Sequence, residues 1–249
     1  MGAGPGDPEL ITVKGHRLLK EADVVIYTGS LVPQALVADL RAEVHNSASM
    51  HLHEVIDLIQ NRVDQGKNVV RLHTGDPAIY GAIDEQMDLL RKAGISFTVV
   101  PGVSSGLAAA ASLQTELTLP EVSQTVIFTR RSGRTPVPEK EELRLLASHQ
   151  ATMMIFLSVG MIDKVVNDLV AGGYPPETPV AVVARVSSPE EPQLRGTLAT
   201  IASQVAEAGI TKTALIAVGN VLKEGTPPAL SKLYDKSFSH GCREGIDQG

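Results

Sequence analysis

Thr74-Gly75-Asp76-Pro77 interrupts an apolar run, Val69, Val70 and Leu72, and leads on to Ile79 and Tyr80. A strand that stops on Gly-Asp-Pro sets its polar residues at the carboxyl end of a sheet, where small ligands bind in open α/β folds. Asp76 can cap a following helix or accept hydrogen bonds from a ligand. Pro77 suits a first helical turn because it has no N–H to lose. A plain strand-to-helix turn with an Asp cap accounts for the same residues. A second cluster, Arg130-Arg131-Ser132-Gly133-Arg134-Thr135-Pro136, concentrates three guanidinium groups in a Gly- and Pro-stiffened loop. Guanidinium groups hold carboxylates or phosphates bidentately, although a solvated surface loop has the same composition. Two further turns, GAGPG at residues 2–6 and Pro101-Gly102-Val103-Ser104-Ser105, offer backbone and hydroxyls with little bulk. The first looks like a dinucleotide fingerprint, but no strand precedes it and Asp7 fills the last glycine slot.

These turns need elements to hold them. Residues 12–22 read as an amphipathic helix with Val13, Leu18 and Leu19 inward. Residues 23–27, ending in Val-Val-Ile-Tyr, are a continuous apolar run of the kind found in buried parallel sheets. They end at Thr28-Gly29-Ser30-Leu31, another loop at a strand's carboxyl end. Helical residues 36–40, a short strand at 43–45 and a helix over 51–65 stopped by Gly66 follow. After the central turn the helix is expected to restart near Ile79 and run over 82–93, with a strand at 96–100 and a helix over 106–113. Strand alternating with helix predicts a parallel α/β sheet. The pattern lapses at residues 117–123, so the expected units are 1–118 and 119–222, with a flexible tail at 223–249. The second unit reads as strands at 125–129, 152–157, 179–184, 194–198 and 213–218, with helices at 139–148 and 160–171 and one running on to 208.

The totals narrow the function. A formal charge of −6 over 249 residues presents no basic field for nucleic acid, and 3% aromatic content leaves few stacking platforms. No apolar run is long enough to span a bilayer, and no basic segment before an apolar core marks a secretory signal. The single cysteine, Cys242, forms no internal disulfide. His51 and His53, two apart, do not share a helix face, so they are expected at the surface rather than on a metal. A cytoplasmic protein without a metal is the expectation.

The motifs taken together resemble a known family. GAGPGDPELITVKG, TGDPAIYG, VPGVSS, MMIFLSVG, PVAVVARVSSPEEPQLRGTLATI and TALIAVGNVL, in that order over residues 2–222, are similar to the tetrapyrrole (corrin/porphyrin) methylase superfamily. YTGSLV and FTRRSGRTPVPEKE resemble its precorrin-methylating branch, which serves cobalamin synthesis. The resemblance implies two α/β domains with a cofactor cleft between them. It implies S-adenosylmethionine as cofactor, bound by Pro5, Gly75, Asp76, Ile79, Ser104 and Ser105. From the second domain it adds Phe156, Leu157, Ala184, Arg185, Thr213, Ala214 and Leu215. It also implies a polyanionic tetrapyrrole as substrate, held by Arg130, Arg131 and Arg134 with Ser30 nearby, and a homodimer.

Relatives place a short strand before GAGPG, whereas only Met1 precedes Gly2 here, so the sheet is expected to be one strand short and Pro5 displaced. Methyl transfer from a sulfonium to an electron-rich ring carbon needs alignment more than a protein nucleophile. Tyr27, His73, Asp76 and Glu116 are available to take a proton, and none is singled out. Three rivals remain. One is a methylase of the same fold acting on another tetrapyrrole, a protein or RNA. The second is a nucleotide-binding oxidoreductase, which would want an acidic residue where Tyr27-Thr28 stands. The third is a tetrapyrrole carrier without catalysis.

Overall fold

The computed structural model describes residues 1–29, 31–223, 225, 231 and 234–246. The chain forms two compact units, Met1–Ser112 with Arg185–Glu191, and Leu113–Ala184 with Pro192–Gly249.

In the first unit the strands β1 (Val24–Tyr27), β2 (Glu43–Asn46) and β3 (Val69–Leu72) form a parallel sheet in the order β2-β1-β3. Val25 and Leu72 pack on one face with Leu19, Val32 and Leu36. Val24 and Ile26 pack on the other with Val55, Ile56 and Ile59. Both faces are covered, which is why β1 is apolar throughout rather than alternating. The covering helices are α1 (Val13–Glu21), capped by the Thr12 hydroxyl accepting from Gly15 N–H at 3.1 Å, and α2 (Leu52–Asp64). Gly66 follows α2 at φ +74°, the left-handed stop that glycine permits. α3 (Asp84–Lys92) and α4 (Ser105–Ser112) complete the unit.

Three local expectations are corrected. Residues 77–80 form a turn, closed by Ile79 N–H donating to the Asp76 carbonyl at 3.2 Å, and α3 starts only at Asp84. Tyr80 and Ala82 take φ of +55° and +48°, which a right-handed helix excludes. Residues 36–40 give only a 3-10 turn, Gln34–Leu36, set up by Pro33. Residues 96–100 are apolar enough for a strand but build no ladder. Among the described residues the one backbone bond found there runs from Gly2 N–H to the Val100 carbonyl, 3.0 Å, and a cavity of about 600 Å³ lined by Val69, Val70, Leu90 and Phe97 lies alongside.

Residues 1–4 pair along β3. Met1 N donates to the Arg71 carbonyl (2.8 Å), His73 N–H to Met1 (2.9 Å) and Ala3 N–H to His73 (2.7 Å). Gly2, Ala3 and Gly4 are buried, so GAGPG is not a surface turn.

The second unit holds a mixed sheet of β4 (Val126–Arg130), β5 (Thr152–Phe156), β6 (Pro179–Ala184), β7 (Gln193–Thr197) and β8 (Ala214–Val218), in the order β4-β5-β8-β6-β7. β4 and β5 are parallel, and the other neighbours are antiparallel. Met153, Ile155, Val182 and Ile216 pack with Leu143 of α5 (Leu143–Ala147), Val165 and Leu169 of α6 (Ile162–Ala171) and Ile201 and Val205 of α7 (Ile201–Glu207). The helix expected over 139–148 is two pieces, a 3-10 turn at Glu139–Glu141 and α5, because Glu142 between them is extended. In the tail, His240 and Arg243 exchange backbone hydrogen bonds of 2.8 and 2.9 Å. The flexible-tail expectation also covers residues 224, 226–230, 232–233 and 247–249, which lie outside the described residues.

Candidate functional site

In the first unit three turns meet through backbone. Gly4 and Gly75 exchange hydrogen bonds, Gly4 N–H to Gly75 carbonyl at 3.3 Å and Gly75 N–H to Gly4 carbonyl at 2.8 Å. A Cβ on Gly102 would stand 2.2 Å from the Gly75 oxygen and 2.8 Å from Gly2 Cα, closer than any side chain is tolerated. Glycine is required there for contact rather than for a dihedral angle. Asp76 ties the same turns together. Its Oδ1 accepts from Ala78 N–H (2.8 Å) and its Oδ2 from Gly102 N–H (2.9 Å). Both carboxylate oxygens therefore hold the protein's own backbone, and the charge stands beside a glycine-lined surface.

Ser104 is buried at the entrance to α4, and its Oγ accepts from Gly106 N–H at 3.3 Å. α4 buries Gly106, Ala108, Ala109 and Ala110, small residues that allow close packing. Pro5 on the first turn, Ile79 on the turn that carries Gly75 and Asp76, and Ser105 next to Ser104 are half-buried. Arg185 belongs to this unit too. It sits at φ +47° in a loop whose Ser187 Oγ accepts from Asp7 N–H at 2.9 Å, and whose Glu191 carboxylate accepts from Ser112 Oγ (3.0 Å) and Ser187 N–H. The sequence reading missed Ser187, Glu191 and the contact role of Gly102. The GPGD and VSSPEE runs were visible, but their partnership spans 180 residues.

Two basic residues follow on and after β3, one half-buried and one buried. The half-buried Arg71 guanidinium donates to Gln86 Oε1 (3.1 Å), the Ile26 carbonyl (3.3 Å) and Ser47 Oγ (2.8 Å), and burial lowers its pKa to about 10. It stays charged at neutral pH. His73 is buried, and desolvation, reinforced by the Arg71 charge, lowers its pKa to about 3. At the end of β1 the Thr28 hydroxyl is buried with no hydrogen-bond partner among the described residues. Ser30, next along that loop, lies outside the described residues.

In the second unit a cavity of about 560 Å³ opens where β4 and β5 end and β8 begins. Arg130, Arg131, Arg134, Leu157, Thr213 and Ala214 line it, so six of the expected site residues are neighbours here. Phe156, Ala184 and Leu215 are not on it. They are buried in the sheet, Leu215 opposite Val183 and Ala184 opposite Ala214. Leu157 and Thr213 both hold φ of +54°. A non-glycine residue in that region costs about 1–3 kcal/mol and persists where surrounding structure dictates it, often at a ligand site.

The three arginines differ. Arg130 donates to the carbonyls of Thr135 (3.0 Å) and Pro136 (2.7 Å), shaping its own loop. Arg131 pairs through Nε with Asp168 Oδ2 at 2.6 Å. Arg134 has no hydrogen-bond or ion-pair partner among the described residues, and neither has Lys212, a second cation on this cavity that the sequence reading missed. Asp168→Ala should destabilise the unit by about 1–2 kcal/mol, the range for a partly exposed charged hydrogen bond. An unchanged urea midpoint would show the pair to be fully screened by solvent.

Comparison with known proteins shows the family. A family model described as Tetrapyrrole (Corrin/Porphyrin) Methylases matches residues 1–202. The cobalt-precorrin-4 C(11)-methyltransferase of Methanocaldococcus jannaschii is 61% identical over 246 residues, 98% of this chain and 95% of that protein. The precorrin-4 C(11)-methyltransferase of Pseudomonas aeruginosa is 48% identical over 98% of each chain. Among solved structures, a cobalt precorrin-4 methyltransferase, a cobalamin biosynthetic enzyme, superposes with a TM-score of 0.88 at 49% identity, covering 90% of this chain and 94% of its own. A uroporphyrin-III C-methyl transferase from Thermus thermophilus, solved with S-adenosyl homocysteine, gives 0.72 at 30% identity, covering 89% and 96%.

Proposed function

The chain belongs to the tetrapyrrole (corrin/porphyrin) methylase family, and on that premise we propose that it carries a methyl group from S-adenosylmethionine to C-11 of precorrin-4, or of its cobalt form, in cobalamin synthesis. The observation that carries this reading is identity of 61% with a cobalt-precorrin-4 C(11)-methyltransferase across nearly the whole of both chains. A homodimer working in the cytoplasm completes the proposal. Among the described residues no helix is long and apolar enough to cross a membrane.

The residues present fit the cofactor. The first unit offers a glycine-walled surface beside the Asp76 charge, and the unpartnered Thr28 hydroxyl suits a polar ligand group. Candidate contacts there are Pro5, Gly75, Asp76, Ile79, Ser104, Ser105 and Arg185. In the second unit the 560 Å³ cavity is of ligand size, and Leu157, 71% exposed, offers it an apolar side chain. Thr213 and Ala214 share that wall. Phe156, Ala184 and Leu215 support it from within the sheet.

When bound, S-adenosylmethionine supplies an electrophilic methyl, whose bond to sulfur breaks as a bond to the ring carbon forms. The chain's part is placement. The Asp76 carboxylate, fixed by two backbone donors, favours a nearby cation without reorganising. His73, with its pKa lowered to about 3, is neutral at physiological pH and adds no positive charge there. Arg134 and Lys212 are the free cations for the substrate's carboxylates, with Arg130 and Arg131 shaping the loop that presents Arg134.

The test is incubation with precorrin-4 and its cobalt form and a labelled methyl donor, locating the new methyl by NMR. A methyl elsewhere than C-11, or only on uroporphyrinogen III, overturns the proposal. Arg134→Ala should weaken substrate binding about 10- to 100-fold, the loss of one desolvated charge-assisted contact of about 1.5–3 kcal/mol, with cofactor binding intact. Unchanged substrate affinity would remove Arg134 from the anchor.

A further inference from the structure

Leu157 combines three unusual properties. It is a large apolar residue, it is 71% exposed, and its backbone is left-handed at φ +54°. The residue after it has the opposite character. Ser158 is fully buried, and its hydroxyl both donates and accepts. It donates to the Phe156 carbonyl at 2.7 Å and accepts from Arg131 N–H at 2.9 Å. One hydroxyl thus spans Leu157, joining the residue before it to the start of the loop after β4. The Arg131 end is itself fixed, through Nε to Asp168 and Nη1 to the Ser132 carbonyl at 3.0 Å.

We propose that Ser158 is a positioning residue, which bends the end of β5 so that Leu157 is pressed into its left-handed conformation and offered to the methyl donor. This rests on the cofactor reading above. The two bonds of the Ser158 hydroxyl, one back across Leu157 to Phe156 and one out to Arg131, are what an L-residue needs to stay in a conformation it rarely adopts unaided. Among the described residues of the second unit little rewards that side chain, since it packs little of its surface. It stands instead on the cavity wall with Thr213, which is equally left-handed. Ser158 reaches no ligand itself. Its effect passes through Leu157.

The experiment is a two-residue cycle read by calorimetric binding of S-adenosylhomocysteine and by thermal unfolding, on the full chain. Leu157→Gly should weaken binding about tenfold while the unfolding temperature holds or rises, because glycine adopts the same backbone without strain. Ser158→Ala should weaken binding about tenfold as well. In the Leu157→Gly background, Ser158→Ala should add little further loss, since no side chain is left to position. A purely structural Ser158 would instead lower binding by the same factor in both backgrounds, and that result overturns the inference. So does Leu157→Gly binding like wild type. Wild-type protein that binds no S-adenosylhomocysteine overturns the cofactor reading and this inference together, an outcome distinct from the other two.

Discussion

Gly102→Ala should loosen the first unit and abolish S-adenosylhomocysteine binding. The added methyl would meet the Gly75 carbonyl oxygen at 2.2 Å and Gly2 Cα at 2.8 Å, both backbone atoms that have no rotamer to swing away. Relief requires the turns to separate. That strains the Gly102 N–H bond to Asp76 and the Gly4–Gly75 pair together. Overpacking of this kind costs about 3 kcal/mol. The loss in binding should exceed a hundredfold, because the displaced atoms are the candidate contacts themselves. Gly241→Ala, where a Cβ meets nothing within 4 Å, is the control. A Gly102→Ala protein with the wild-type urea midpoint would show that the turns spread freely.

Acid should destabilise the protein well above the pH at which its exposed carboxylates titrate. The folded chain holds His73 with a pKa near 3 against an ordinary 6.5, through burial first and the Arg71 charge second. A lowered folded pKa means that the unfolded chain takes the proton first. The stabilising contribution is complete above pH 6.5 and is lost as pH falls toward 3. Between pH 6.5 and 4 the loss is about 3 kcal/mol, at about 1.4 kcal/mol per pH unit. His73→Gln should remove that slope. Urea midpoints at pH 7, 5.5 and 4 decide the matter, and parallel curves for the two proteins would exclude His73 as the source.

Much of this architecture was legible because local signals and tertiary demands agreed. Val24-Val25-Ile26-Tyr27 reads as a buried strand and is one. Gly66 and Gly173 stop their helices at positive φ. Three of the four alanines after Leu107, namely Ala108, Ala109 and Ala110, pack as their size suggests. The failures have physical causes. Residues 96–100 carry a strand's composition, yet a strand is a pairing, and composition does not reveal the neighbour. The Tyr80 and Ala82 dihedrals that delay α3 leave no trace in residue type. Three arginines in a row of loop residues look equivalent until Asp168 and the Thr135 and Pro136 carbonyls engage two of them. Lys212 and Ser158 were invisible because each matters only through what distant sequence brings to it.

The meeting of Gly2, Gly75 and Gly102 also limits how this fold can be recombined. A chimera that imports GAGPG alone, or TGDP alone, inherits a surface shaped for strangers and places a carbonyl where the host has a side chain. Successful transplants into a related scaffold should need all three segments at once, and natural variants should change them as a set.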